Sequence, residues 1–409
     1  MIAFGERIDE SMKTTRIGGI VTLVIALFTA CRKPYAPAIT TSSGGGTGYL
    51  VVEGVINAHD STVIRLSRTV PLSSKSATKP ELGASVSIIS DGGSSYALIA
   101  MSGGYYAAPN LNLNESGKYG LKITTADGKA YQSDLVPVKD SPPIDSVYYQ
   151  VKSNGVQIYS GTHDPANRTR YYRWDYNETY EYHSAFYSFE YLSTSPFDTV
   201  LVRNPANQIY YCWRSNQSPD IIINSSAKLS KDIISKNPLT FIPSNSEKIG
   251  VRYSVLVKQY ALTADAFNYY QQLQKNTEQI GTIFDPQPSE LPGNIHCLTT
   301  PSEPVVGYIT AGAPAQARIF IDARDLPAWT YDSPYSGCRL DTDLFKRVEG
   351  SSEVINEVQL YIYTGVHIPI YAIEPPGVNK ILGYASSDPD CVDCTLRGTN
   401  VRPSFWVGF

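Results

Sequence analysis

At 409 residues and a net charge of −4, the chain is long enough for two or three domains, each with its own core. Its 30 tyrosines, 30 glycines and 27 prolines against 3 methionines predict a mainly β protein rich in turns. Lys and Arg are spread through the chain without a basic stripe, which excludes nucleic acid as the expected partner.

From Met12 the chain reads MKTTRIGGIVTLVIALFTACRKPY, with Lys13 and Arg16 ahead of an apolar run, Ile17 to Phe28, and small residues before Cys31. This is the order of a secretory signal, and the run is shorter than the roughly 20 residues a permanent span needs. It also resembles a bacterial lipoprotein signal, with Phe28 where an aliphatic residue is usual. Residues 1–30 are expected to be removed and Cys31 to carry lipid. Glu6, Asp9 and Glu10 are unsuited to an export signal, so translation is expected to start at Met12. Residues 31–47, rich in Pro, Ser and Gly, read as a flexible tether.

Residues 48–140 alternate short apolar strands with turn signals: YLVVEGVI, STVIRLSRTV, ASVSIIS, GGYYAAP and YGLKITTADGKAYQS, the last with Asp127-Gly128 as a hairpin turn. They predict an immunoglobulin-like β-sandwich, similar to carboxypeptidase-regulatory and related envelope modules. DSPPID, Asp140 to Asp145, marks the boundary, because two prolines interrupt both helix and ladder.

Residues 146–409 are read as a larger β-rich domain with one packed helix at about 263–280. In YYRWDYNETYEYH, Tyr172, Trp174, Tyr176, Tyr180 and Tyr182 share one face of a long strand, and Arg173, Asp175, Asn177, Thr179 and Glu181 the other. The aromatic face has two readings, a sugar-stacking platform facing ligand or a face packed on a second sheet, and the periodicity favours packing. KIGVRYSVLVKQYAL is the next strand and feeds the helix, with Thr263 as N-cap, Asp265 in the first turn and Gly281 as the stop. PVVGYITAG, ARIFIDARDL and INEVQLYIYTG are expected strands, and the C-terminal third shows no helical pattern.

Chemistry-bearing motifs are sparse. His59, His163, His183, His296 and His367 fall in no zinc-binding spacing. There is no nucleophile elbow and no phosphate-cradling loop. No metal, cofactor or catalytic residue is therefore assigned, and the chain is not expected to be an enzyme. Beyond Cys31 the disulfide candidates are Cys212, Cys297, Cys338, Cys391 and Cys394, an odd number that leaves one thiol over. For the Cys391–Cys394 pair, a disulfide to Cys338 is preferred over a redox motif, which needs a helix N-terminus, and over a zinc knuckle. Asp285 and Glu290 could form a carboxylate pair, but Pro286, Pro288 and Pro292 fix that segment as a turn. His296 and Cys297, adjacent in an extended segment, face opposite sides and make a poor catalytic pair. The segment Lys275 to Cys297 thus reads as a rigid, disulfide-capable connector.

The run from YSVLVKQYALTADAF through NTEQIGTIFDPQPSELPGNIHC to VVGYITAG, with YYCWRSNQSPDIIINSSAKLS and DCTLRGTNVRPSFW, resembles the Bacteroidota lipoprotein family catalogued as domain of unknown function 4249. The resemblance covers nearly the whole mature chain. It implies an outer-membrane lipoprotein that works beside a TonB-dependent receptor in nutrient uptake, binding or capping a substrate the sequence does not name. It supplies no activity and no catalytic residues. The Arg32-Lys33-Pro34 run replaces the acids that family members often carry after the lipidated cysteine, so the membrane face is left open. An envelope hydrolase of glycans or peptides, and an adhesin or assembly factor, are the alternative functions.

Overall fold

The computed structural model describes residues 48–70, 79–278, 293–349, 353–377 and 380–407. Nearly all of these are antiparallel strands and their connections, so the chain is mainly β. Tyr49–Thr69 and Ser76–Phe409 form one compact unit.

The first sandwich packs two sheets. One orders Leu50–Val55, Thr62–Arg68, Tyr105–Ala108 and Ile99–Ala100; the other orders Ile295–Cys297, Ala130–Ser133, Lys118–Thr124, Ser85–Ser90 and Ser95–Ala97. Alternation sends Leu50, Val52, Ile64, Leu66, Val86, Ile88, Leu121 and Ile123 into the shared core.

That core also takes Ile295, Cys297, Val305, Ile309 and Ala311, so residues 293–312 return to the first sandwich instead of belonging wholly to the larger domain. Val52 N donates to Val306 O at 2.8 Å and Ile56 N to Thr310 O at 2.9 Å. PVVGYITAG does not form the expected ladder strand; Val306 and Ala311 make isolated parallel bridges. Gly307 explains the break. Its φ is +143°, and a Cβ there would lie 2.3 Å from Val52 O, a backbone approach that only glycine allows.

The larger body packs a sheet ordered Tyr211–Gln217, Tyr171–His183, Arg252–Leu262, Ala315–Asp322 on a three-stranded sheet, Ile144–Lys152, Gly155–His163, Ile233–Pro243. Their inner faces interlock through Val156, Ile158, Tyr172, Trp174, Tyr253 and Val255. The helix Ala264–Glu278 follows directly from Arg252–Leu262. Thr263 Oγ1 accepts from Ala266 N at 3.2 Å, as an N-cap does, and Tyr269 and Tyr270 are buried against the sheet. Gly281 lies outside the described residues.

A small further sheet orders Asp341–Leu344, Gly383–Ser387 and Ile368–Ile373. INEVQLYIYTG is not a strand over its length: after Glu353–Ile355 the chain makes a π-helical turn, Val358–Ile362. Val358, Leu360 and Ile362 alternate as a strand would, yet Val358 and Ile362 are buried while Leu360 is exposed. Burial four residues apart is the helical spacing, and it overrides the apparent period of two. A second helical piece, Pro389–Val392, also stands in the C-terminal third.

Candidate functional site

The aromatic stripe is core. Tyr172, Trp174, Tyr176, Tyr180 and Tyr182 are each no more than 5% exposed, which corrects their reading as ligand-facing residues. Their polar atoms are engaged inward: Tyr172 OH donates to Asp232, Trp174 Nε1 to Gln259 Oε1 at 3.0 Å, and Tyr182 OH to Cys394 O at 2.8 Å. A face that fills the space between two sheets leaves no room for a sugar.

The opposite face of the same strand is partly open from Arg173 to Asn177 and buried at Thr179 and Glu181, and its register builds a groove. Asn177 stands opposite Gln217 on one side and Leu256 on the other, with Arg318 opposite Leu256. Asp175 faces Lys258, which faces Gln316. Thr179 lies between Ser215 and Ser254. Three adjoining hollows of about 440, 440 and 350 Å³ run over this floor and share Gln217. At one end the walls are Val51–Gly54 of the sandwich, Gly307–Tyr308 and the helix residues Tyr269, Tyr270 and Leu273. At the other end stands Phe405, from the C-terminal segment, which is held by Trp406 Nε1 donating to Glu181 Oε2 at 3.1 Å and Arg252 Nη1 to Val407 O at 2.8 Å.

Arg173 is the most constrained charge in the groove. Its guanidinium carbon lies 4.4 Å from the Tyr260 centroid and 4.8 Å from that of Tyr270, and Nη2 is 3.5 Å from Asp175 Oδ2. Burial works against its charge, but Tyr270, Asp175 and Tyr260 hold the guanidinium pKa above its ordinary value. Burial, then Asp175, pushes the Tyr260 phenol up, so it stays a neutral donor. The helix fixes the rim: Gln274 Nε2 donates to Ile221 O at 2.6 Å, and Ile221 N to Glu278 Oε1 at 2.7 Å, beside Asp220.

Cys212 pairs with Cys394 and Cys338 with Cys391, at Cα separations of 5.8 and 5.7 Å. The Cys391–Cys394 pair therefore divides between two partners and fastens the C-terminal segment to the large sheet. Cys297 is a free, buried thiol, which corrects the disulfide-capable connector. Ile295 and Cys297 point into the sandwich core, while His296 faces out and meets Asp134 at 3.1 Å. Cys31, Asp285 and Glu290 lie outside the described residues.

Two further clusters were not legible in sequence. Asp343, His367 and Ser386 combine the residue types of a serine hydrolase, but Asp343 Oδ2 lies 2.8 Å from His367 Nδ1 and accepts from Ser386 Oγ at 2.5 Å. A working triad needs serine and carboxylate on opposite imidazole nitrogens; here both are at Nδ1, and Ser386 is fully buried. This knot ties strands together. His59 Nε2 lies 3.0 Å from Asp140 Oδ2 and 3.4 Å from Glu115 Oε1, with Asp140 Oδ1 accepting from Ala313 N at 2.7 Å. These exposed groups are satisfied by one another and by the Ala313 amide at the sandwich end. Among the described residues no helix is long and apolar enough to cross a membrane.

No curated protein matches the chain. Similar solved structures include a two-fibronectin-type-III segment of chicken tenascin, at 13% identity, covering 52% of this chain and 90% of that one with a TM-score of 0.16. The FN1–FN3 domains of chicken CNTN1 match at 12% identity over 53% of this chain and 64% of that one, with a TM-score of 0.18. The chitinase ChiA74 from Bacillus thuringiensis matches at 12% identity over 51% and 29%, with a TM-score of 0.15. Residues 32–318 match the family described as domain of unknown function DUF4249, and the chain belongs to that family.

Proposed function

We propose that the chain is exported, anchored to the outer membrane through lipid on Cys31, and acts there as a non-enzymatic binding or capping partner of a TonB-dependent transporter in nutrient uptake. The observation that carries the binding role is the groove: its polar floor faces solvent between walls supplied by the sandwich, the helix and the C-terminal segment, the concave arrangement in which ligands are held. The signal-like run ending at Cys31 supports export and anchoring. The two disulfides accord with an oxidising compartment. The transporter partnership rests on the sequence resemblance.

Membrane fractionation after labelling with an alkyne fatty acid, followed by recovery through a C-terminal tag in mild detergent, tests this reading. The label and membrane association are expected on the wild-type chain and absent from Cys31→Ser, and a β-barrel receptor is expected to co-purify. An unlabelled wild-type chain in the soluble fraction would overturn the anchoring, and repeated recovery without any β-barrel protein would overturn the partnership.

A further inference from the structure

We propose that the groove takes a neutral oligosaccharide laid along the long strand Tyr171–His183, an inference that rests on the binding role above and names its ligand class. Charge favours a neutral ligand. The cations lining the three hollows are Arg65, Arg173, Lys258 and Arg318. The carboxylates are Glu53, Asp60, Asp175 and Asp220, so the formal charge of the groove is zero. An anionic chain meets four carboxylates there and a cationic one meets four cations. Sugar hydroxyls, which both donate and accept, satisfy either sign.

The floor itself disfavours an added peptide strand. An extended peptide usually adds to a sheet edge through main-chain hydrogen bonds, but this floor is a sheet face. Residues 171–174 and 177–181 of the long strand, and 252–259 of its neighbour, are paired with strands on both sides. Recognition must therefore come from side chains, and Asn177, Gln217 and Ser215 present amides and a hydroxyl, with buried Thr179 Oγ1 2.8 Å from Ser215 Oγ. The neutral charge balance lacks the cation excess that phosphates require.

Aromatic rings stand at both ends of the floor. Tyr105 and Tyr260 line one end and Phe405 the other; Arg173 lies over Tyr260 at 4.4 Å and Arg318 over Phe405 at 3.6 Å, so exposed Tyr105 offers the most accessible ring on which the C–H face of a sugar can pack. From Arg173 to Thr179 the floor extends about 20 Å at roughly 3.3 Å per residue, room for several consecutive rings.

The test is calorimetry on the full mature chain in detergent, guided by a glycan microarray. The probes are maltohexaose, cellohexaose, xylohexaose and mannohexaose, with oligogalacturonate and a hexapeptide pool as controls. A neutral hexasaccharide is expected to bind, more tightly than its disaccharide. Gln217→Ala and Tyr260→Ala are each expected to weaken it at least about tenfold, near 1.4 kcal/mol, with unchanged circular dichroism. Gln217 is exposed, so its variant keeps the test open if Tyr260→Ala unfolds. Binding only of peptide or oligogalacturonate, lost in the same variants, overturns the saccharide assignment and leaves the binding groove standing. Absence of groove-dependent binding by any probe overturns both.

Discussion

Arg173 lies across the ring of Tyr260, its guanidinium carbon 4.4 Å from the centroid, and the two residues stand directly opposite each other on adjacent strands. The pairing follows from register: outward-facing positions of Tyr171–His183 meet outward-facing positions of Arg252–Leu262. Tyr270 from the helix closes the other side of the clamp at 4.8 Å. A strand pair and a helix thus fix one cation at the mouth of the groove. Tyr260→Ala is expected to lower stability by about 1–2 kcal/mol, from a lost cation–π contact and lost ring burial. Urea unfolding followed by tyrosine fluorescence checks this, and Tyr260→Phe should recover most of the loss.

Glu178 is a carboxylate inside the large body. Its Oε2 accepts from Tyr253 OH at 2.9 Å and its Oε1 from Asn216 Nδ2 at 2.9 Å, with Lys248 Nζ 2.6 Å away. Burial keeps the Tyr253 phenol protonated by pushing its pKa up. Glu178→Ala should cost about 2–3 kcal/mol, because Tyr253 OH loses its acceptor and a cavity is left. Glu178→Gln, which preserves shape and one acceptor, should cost less. Denaturation midpoints of the two variants measure the ordering.

Asp164 carries the acid dependence. Burial alone would raise its carboxyl, but backbone N–H groups outweigh it: Ala166 donates to Oδ1 at 2.9 Å, and Arg168 and Thr169 to Oδ2 at 2.8 Å. The folded pKa is therefore below the usual carboxylate value. The stabilisation is present above the unfolded value of about 3.9 and is lost as pH falls through the folded one. Asp164→Asn is expected to destabilise by about 1–2 kcal/mol at neutral pH, with the gap to wild type closing as pH falls through the lowered folded pKa. Thermal unfolding across that range checks the sign.

The cysteine pairing makes a chemical prediction. Cys297, buried in the sandwich, should resist iodoacetamide in the native chain and react after unfolding, whereas Cys212, Cys338, Cys391 and Cys394 should react only after reduction. Peptide mass mapping reads this directly. Removing the Cys212–Cys394 bridge by paired serine substitutions should cost about 3–4 kcal/mol, since it spans 182 residues of sequence.

What was legible in the sequence was local. Alternation over YYRWDYNETYEYH marks the long strand, Tyr171–His183, and Thr263 with Asp265 marks the start of the helix. The return of residues 293–312 to the sandwich was not legible, because isolated parallel bridges leave no periodic pattern and their partners, Val51, Ile56 and Val138, lie far earlier in the chain. The groove was half visible. The pattern that gathers Tyr172, Trp174 and Tyr176 also gathers Arg173, Asp175 and Asn177, but aromatic residues draw the ligand reading to the face that the second sheet covers. The open face becomes a site only when register adds Gln217, Lys258 and Arg318 from three other strands. Such partners are fixed by tertiary pairing, which short-range spacing does not encode.

Hydrogen–deuterium exchange on the full mature chain, with and without each of the four neutral hexasaccharides, tests most directly whether the groove is where ligand is held. Slower exchange is predicted at Gln217–Ile221 and Val306–Tyr308, segments that line the groove, with the small C-terminal sheet unchanged. Exchange that is unaltered by every hexasaccharide, or slowed only away from the groove, would contradict the account.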